Sequence, residues 1–276
     1  MSFLVSVINT AANRTCDLLF RPFAGLHPLI PLAVFSFFTG VVMLVAYRFT
    51  SNQPAIRRAK DRMQAHVLAV RLFQDQLGVV LHSYGRILGA TLGYLRLSLV
   101  PLLVMFVPLA LLLVQLDARF AYRPPRVGEP LLLRVQVARP ELVEGVSFGL
   151  PDSVALTAPL LRDAVEKEVI ARIESRAPGV WTIGVDLAGS RYTKQMIVSD
   201  HLENISTARV GPGFVDRLLH PVEDPLPAAA PIVAIALDYP ERRITLGRFG
   251  LNWIVVFFVL SLVAGLVMKR PLRAEF

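Results

Sequence analysis

The chain has 276 residues, of which 54% are hydrophobic and 18% charged, with a net charge of +8 and a mean hydropathy of +0.54. Soluble domains carry about 25% charged residues, so this composition argues against an ordinary soluble globule and for a membrane protein with some water-exposed mass. A single cysteine, Cys16, excludes an intrachain disulfide.

In chain order, residues 1–27 open with an apolar set (Phe3, Leu4, Val7, Ile8, Ala11, Ala12, Leu18, Leu19) and a polar set (Asn9, Asn13, Arg14, Asp17). That spacing predicts an amphipathic helix lying in a membrane interface. Pro22 and Pro28 mark a corner. Residues 28–47 then form the first of three uncharged runs, the others being 97–116 and Leu251 to Met268 within 249–268. Each is long enough to cross a hydrocarbon core of roughly 30 Å as a helix. Residues 1–13 hold no Lys or Arg, so the first run reads as a retained span rather than a signal peptide.

Residues 48–96 carry eight Arg/Lys and two Asp. Ser51 or Asn52 can cap a helix that takes Pro54 in its first turn. A seven-residue repeat follows, with Ile56, Met63, Val70, Leu77 and Tyr84 in one set and Ala59, His66, Phe73, Val80 and Ile87 in the other. The repeat predicts either a coiled-coil hairpin broken near Gly78 or an amphipathic helix on the membrane. Gly85, Gly89 and Gly93 share one helix face, as a hinge or a packing surface. In the second run, Pro101 and Pro108 predict a bent span.

Residues 117–248 carry sixteen Arg/Lys and seventeen Asp/Glu. Seven segments there read as strands: 128–137, 153–158, 168–175, 179–187, 191–199, 231–240 and 242–247. Trp181, Ile183, Val185 and Leu187 alternate with Val180, Thr182, Gly184 and Asp186, the period of a half-buried strand. Gly189 and Ser190 are expected to turn a hairpin. The pattern predicts an antiparallel β-sandwich. The last run leads to a basic tail, 269–276, with Lys269, Arg270 and Arg273.

Basic residues close to span ends face the cytoplasm. The segment 48–96 and the tail are therefore expected inside, and the N-terminus and 117–248 outside, as in a bacterial inner membrane. Topology accounts for the basic charge, so no nucleic-acid recognition is expected. The chain contains no H-E-x-x-H, C-x-x-C, G-x-S-x-G or Walker A motif. No catalytic residue, metal site or cofactor is expected, and the chain does not read as an enzyme.

The predicted architecture is thus α-helical membrane protein, with three transmembrane helices, a cytoplasmic helical hairpin and an inserted extracytoplasmic antiparallel β-sandwich domain. This layout, carried by "YRFTSNQPAIRRAKDRMQAHV", the seam ending near Tyr84 and "LVPLLVMFVPLALLL", resembles the three-span members of the YidC/Oxa membrane protein insertase superfamily, such as the archaeal insertases and the third subunit of the ER membrane complex. The resemblance covers about residues 1–116 and 249–276. The long outer domain and the lack of a mid-span basic residue depart from the family. The resemblance implies a cytoplasm-facing groove with polar walls, entered past Arg48, Asn52 and Gln53. It also implies a basic surface at Arg57, Arg58, Lys60 and Arg62 that meets nascent membrane proteins or the ribosome. The partners expected are these, the lipid bilayer and other subunits of a membrane complex. The alternative is an envelope interaction protein, or an accessory subunit of a membrane complex, that binds its partner through the outer domain.

Overall fold

The computed structural model describes residues 2–23, 25–51, 53–72, 77–246, 249–269 and 271. It divides into two compact units: 1–32 with 111–256, and 33–110 with 257–276.

The second unit is helical. It holds most of α2 (Leu29–Thr50), α3 (Gln53–Leu72), the larger part of α4 (Leu77–Phe120) and all but the first turn of α6 (Trp253–Lys269). Leu29–Thr50 and, within α4, Tyr84–Phe120 are long and apolar enough to cross a membrane; α6 is apolar but has only 17 residues. Pro54 stands in the first turn of α3, as its fixed φ favours. Ser51 does not cap that helix: its hydroxyl is buried with no hydrogen-bond partner among the described residues. α4 is one helix of 44 residues that runs through Gly78, Gly85, Gly89, Gly93 and both prolines. Gly85, Gly89 and Gly93 therefore form no break in the helix. A β-carbon at any of them would meet nothing within 4 Å, so they line open space instead of a tight contact. Helix α4 begins at Leu77, so Gly78, where the break was expected, is its second residue. Phe73 lies outside the described residues, as do the side chains of Ile56, Ala59, Met63, His66, Val70, Leu77 and Val80.

The first unit contains α1 (Ser2–Phe20) and the β-rich domain. One antiparallel sheet has the order β3-β5-β1-β9-β8: Val154–Leu156, Glu168–Ser175, Pro130–Val137, Ile232–Leu237 and Ala208–Val210. A further strand, β4 (Leu161–Asp163), also pairs with β5. A second sheet joins β2 (Ser147–Gly149), β6 (Gly179–Leu187) and β7 (Ser190–Val198). Strands β10 (Ile244–Leu246) and β11 (Phe249–Leu251) make a ribbon leading to α6. Alternate residues of β1, β5, β6, β7 and β9 feed one core that includes Leu133, Val135, Ile173, Ile183, Met196 and Ile235. Two antiparallel sheets sharing one core are compatible with the expected sandwich.

All seven expected strand segments contain strands. The turn of the β6–β7 hairpin is shifted by one residue from the expectation. Leu187 pairs with Ser190, leaving Ala188 and Gly189 as the loop, both at positive φ (53° and 74°). A two-residue type I′ turn needs positive φ at both positions, because only that twist matches the strands it joins.

The polar side of α1 docks on protein. Asn9 Nδ2 donates to the Arg217 carbonyl, and Asn13 Nδ2 to that of Pro221, each at 2.7 Å; Arg217 lies in the short helix α5 (Phe214–Leu219). Leu18 and Leu19 are left exposed.

Candidate functional site

The helical unit has an open-sided cavity of about 400 Å³ between α2, α4 and α6. Its walls include Gly40, Met43 and Tyr47 of α2, Met105 of α4, and Phe257 and Leu262 of α6. The helices come together where Gly40 meets α6: a β-carbon there would overlap the Ser261 carbonyl oxygen. Glycine is required by that approach, as at other small-residue helix crossings. The hydroxyls of Thr39 and Ser261 also border the cavity, but each donates within its own helix, to Phe35 O at 2.7 Å and Phe258 O at 3.1 Å. The cavity therefore presents almost no free polar group. Instead of the expected polar walls, it has apolar ones suited to a hydrocarbon surface.

A second recess, of about 630 Å³, lies between α3 and the start of α4. Arg58, Arg62 and Arg86 border it over the open glycine face. Of the expected basic contacts, Arg57, Arg58, Lys60 and Arg62 are all exposed; Arg58 Nε donates to the Pro54 carbonyl at 3.2 Å. Arg58 and Arg62 come together at this recess, and Arg57 and Lys60 do not line it. Of the expected groove entrance, Arg48 is exposed in the last turn of α2 and does not line the three-helix cavity, whereas its neighbour Tyr47 does. Asn52 lies outside the described residues. Gln53 begins α3, and its side chain is likewise outside them.

Two charged arrangements in the first unit were not among the expected site residues. Lys194 points into the β-domain with no solvent exposure. It donates to the Ser206 carbonyl at 2.7 Å and Oγ at 3.0 Å, and pairs with Glu223 at 2.9 Å. Burial pushes its pKa down, and Glu223 only partly opposes this. The alternation of β7 was the available signal, since it puts Lys194 on the same side as Tyr192 and Met196. The second arrangement is a polar cavity of about 360 Å³ beside the end of α4 and the start of α6, with Asp117, Tyr122, Glu241, Arg242 and Trp253 on its walls. Burial and the neighbouring Arg123 lower the pKa of Arg242. No group of three or more His, Cys, Asp or Glu among the described residues is arranged to hold a metal ion.

Compared with known protein families, with curated proteins and with solved structures, the chain matches none of them.

Proposed function

We propose that the chain is a three-span membrane protein that helps other membrane proteins insert or fold, in the manner of a YidC/Oxa insertase. In this reading α2, the apolar part of α4 and α6 cross the bilayer. The basic segment 48–96 and the tail face the cytoplasm, and residues 117–248 lie outside.

The observation that carries the reading is the apolar cavity between the three apolar helices. An open apolar groove is costly to expose to water and is at home against hydrocarbon. Within a bilayer, such a slot can take up part of an apolar client segment before that segment moves into lipid. The span α6 adds a second supporting feature. Its 17 residues reach only about 26 Å as a helix, short of a typical core, and a short span is accommodated by local thinning of the bilayer. A thinner barrier lowers the cost of moving a client's polar flank. The exposed Arg57, Arg58, Lys60 and Arg62 give the cytoplasmic side a cationic surface for an acidic partner such as ribosomal RNA or anionic lipid.

The test is reconstitution. Vesicles holding the purified chain are given a newly synthesised single-span protein, and protease protection reports insertion. Insertion above that of empty vesicles, reduced when Gly265 or Met43 is replaced by a residue that fills the cavity, supports the reading. Insertion equal to that of empty vesicles, beside an active control insertase, refutes it.

A deletion separates this reading from the interaction-module alternative. The two stems of the outer domain are tied by the Tyr122–Glu241 bridge and by the Arg123 N–H bonded to the Pro240 carbonyl at 2.9 Å. Residues 127–238 can therefore be replaced by a short linker between stems that are already adjacent. An insertase keeps most of its activity in that variant. A binding module loses all of it.

A further inference from the structure

The polar cavity at the end of α4 contains opposite charges that do not pair with each other. Arg242 is anchored on one side only: its backbone N–H donates to the Ala121 carbonyl at 2.8 Å and its Nε to the Tyr122 carbonyl at 3.2 Å. Its Nη2 is buried and has no hydrogen-bond partner among the described residues. A buried guanidinium nitrogen without an acceptor is costly, so its position calls for one. Two carboxylates of neighbouring segments are engaged elsewhere. Glu129 takes a two-pronged pair from Arg123 at 2.7 and 2.6 Å, and Asp238 accepts from Arg134 at 2.7 Å. Asp117 and Glu241 line the same cavity as Arg242, and among the described residues neither makes an ion pair. The cavity also receives the exposed Arg243, and Trp253 closes one wall.

A cavity of this size, holding a guanidinium whose Nη2 lacks an acceptor and carboxylates that lack a cation, is complementary to a ligand that carries both charges a few ångströms apart. A phosphodiester would accept from Arg242 and Arg243. A primary ammonium would donate to Asp117 and Glu241. Beside the cavity, Trp253 starts the apolar helix α6, in the position of an interfacial aromatic anchor.

We propose that this cavity binds a phosphoethanolamine group, the zwitterionic head of a membrane phospholipid, with its phosphate on Arg242 and Arg243 and its ammonium on Asp117 and Glu241. That the ligand comes from the bilayer rests on the three-span reading, which puts this end of α4 and α6 at the outer head-group level. The charge complementarity does not rest on it.

The experiment is native mass spectrometry of the delipidated full chain in mild detergent, titrated separately with phosphatidylethanolamine, phosphatidylglycerol and glycerophosphoethanolamine. The wild type is expected to take one phosphatidylethanolamine in preference to phosphatidylglycerol. Arg242→Gln should weaken that binding by about tenfold or more, the value of a charge-assisted hydrogen bond. The double variant Asp117→Asn, Glu241→Gln should lose the preference while still binding phosphatidylglycerol. Arg242→Lys, which keeps the charge but not Nη2, should fall between wild type and Arg242→Gln. Circular dichroism melting of each variant separates a lost site from a lost fold. Equal binding of the two lipids by the wild type overturns the proposal, as does undiminished binding by Arg242→Gln. Displacement of the lipid by equimolar glycerophosphoethanolamine overturns the bilayer as the source, and failure to displace it supports that source. Cysteine labelling that placed residues 117–248 in the cytoplasm would refute the three-span orientation and leave these titrations unchanged.

Discussion

Arg119, in the last turn of α4, donates a hydrogen bond to the carboxylate of Asp17 in α1, 102 residues earlier in the chain. Arg119 is buried. It also bonds the Gln115 carbonyl at 3.0 Å and lies over the Phe20 ring, with 5.3 Å to the centroid. Phe20 packs edge-on against Phe120, which stacks with Trp253. The N-terminal helix is thus tied to the ends of α4 and α6. Asp17 is more than half exposed, so water screens its side of the pair. Asp17→Asn should therefore cost only about 1 kcal/mol. Arg119→Ala removes the pair, the stacking on Phe20 and a buried stem together, and should cost about 3 kcal/mol. Thermal melting in detergent checks the difference, and equal losses would contradict it.

The buried Lys194–Glu223 pair makes a prediction of a different form. Glu223→Gln leaves the buried Lys194 ammonium with only neutral acceptors, at Ser206 and the Gln195 carbonyl, and should destabilise the outer domain by about 3 kcal/mol. The apolar double replacement Lys194→Met, Glu223→Leu should recover most of that loss, since it removes both desolvated charges. Denaturant titration of the full chain, followed through Trp181 fluorescence, measures both variants.

Glu129 gives a pH dependence. The hydrogen bond from Arg123 is the main cause that lowers its pKa, from 4.5 to about 2. A carboxyl whose pKa is lower in the folded state stabilises the fold above the unfolded value and loses that contribution as pH falls through the folded one. Stability should therefore decline from about pH 4.5 and lose this contribution by about pH 2. The pair is partly exposed, so its share is about 1 kcal/mol after screening. Glu129→Gln should flatten the difference between melting points at pH 5 and pH 3. An unchanged difference would show that other carboxylates dominate.

Gly40 and Gly265 test how the helices meet. A β-carbon at Gly40 would overlap a backbone oxygen of α6, whereas one at Gly265 has its nearest neighbour at 3.9 Å. Gly40→Ala should cost about 1–3 kcal/mol through forced separation of α2 and α6. Gly265→Ala should be neutral or stabilising by a few tenths of a kcal/mol, because alanine favours the helix. Melting in one detergent compares them directly.

The sequence and the structure agree best where a long run of residues repeats one pattern. The three apolar runs and the seven expected strands all contain helices or strands of the expected type. What could not be read was short or non-local. Strands β2, β4, β8 and β11 have three residues each, too few to show a period of two. Ala188 in the hairpin loop was unreadable because alanine rarely takes positive φ; the pairing of Leu187 with Ser190 imposes it. The glycine repeat of α4 allowed a hinge or a contact. It proved to be an open helix face, since what a glycine faces depends on which helix lies opposite. The polar set of α1 was legible, but that Asn9 and Asn13 meet residues about 200 positions away was not. For the candidate site, the sequence led to Arg48, Asn52 and Gln53, of which only Arg48 has a described side chain, and it does not line the cavity. The cavity draws on residues such as Met43, Met105 and Leu262, ordinary apolar side chains that carry no sequence signal of their own.

The most direct test of the insertase reading is photocrosslinking in living cells, with the probe placed at Met43 or Tyr47 in the cavity wall, at Arg48 beside it, and at Phe38 on the exposed face of the same helix. Adducts to newly made membrane proteins are expected from Met43 and Tyr47, dependent on ongoing translation and several-fold weaker from Phe38. Absence of such adducts from the cavity positions, beside a control insertase that gives them, would contradict that reading.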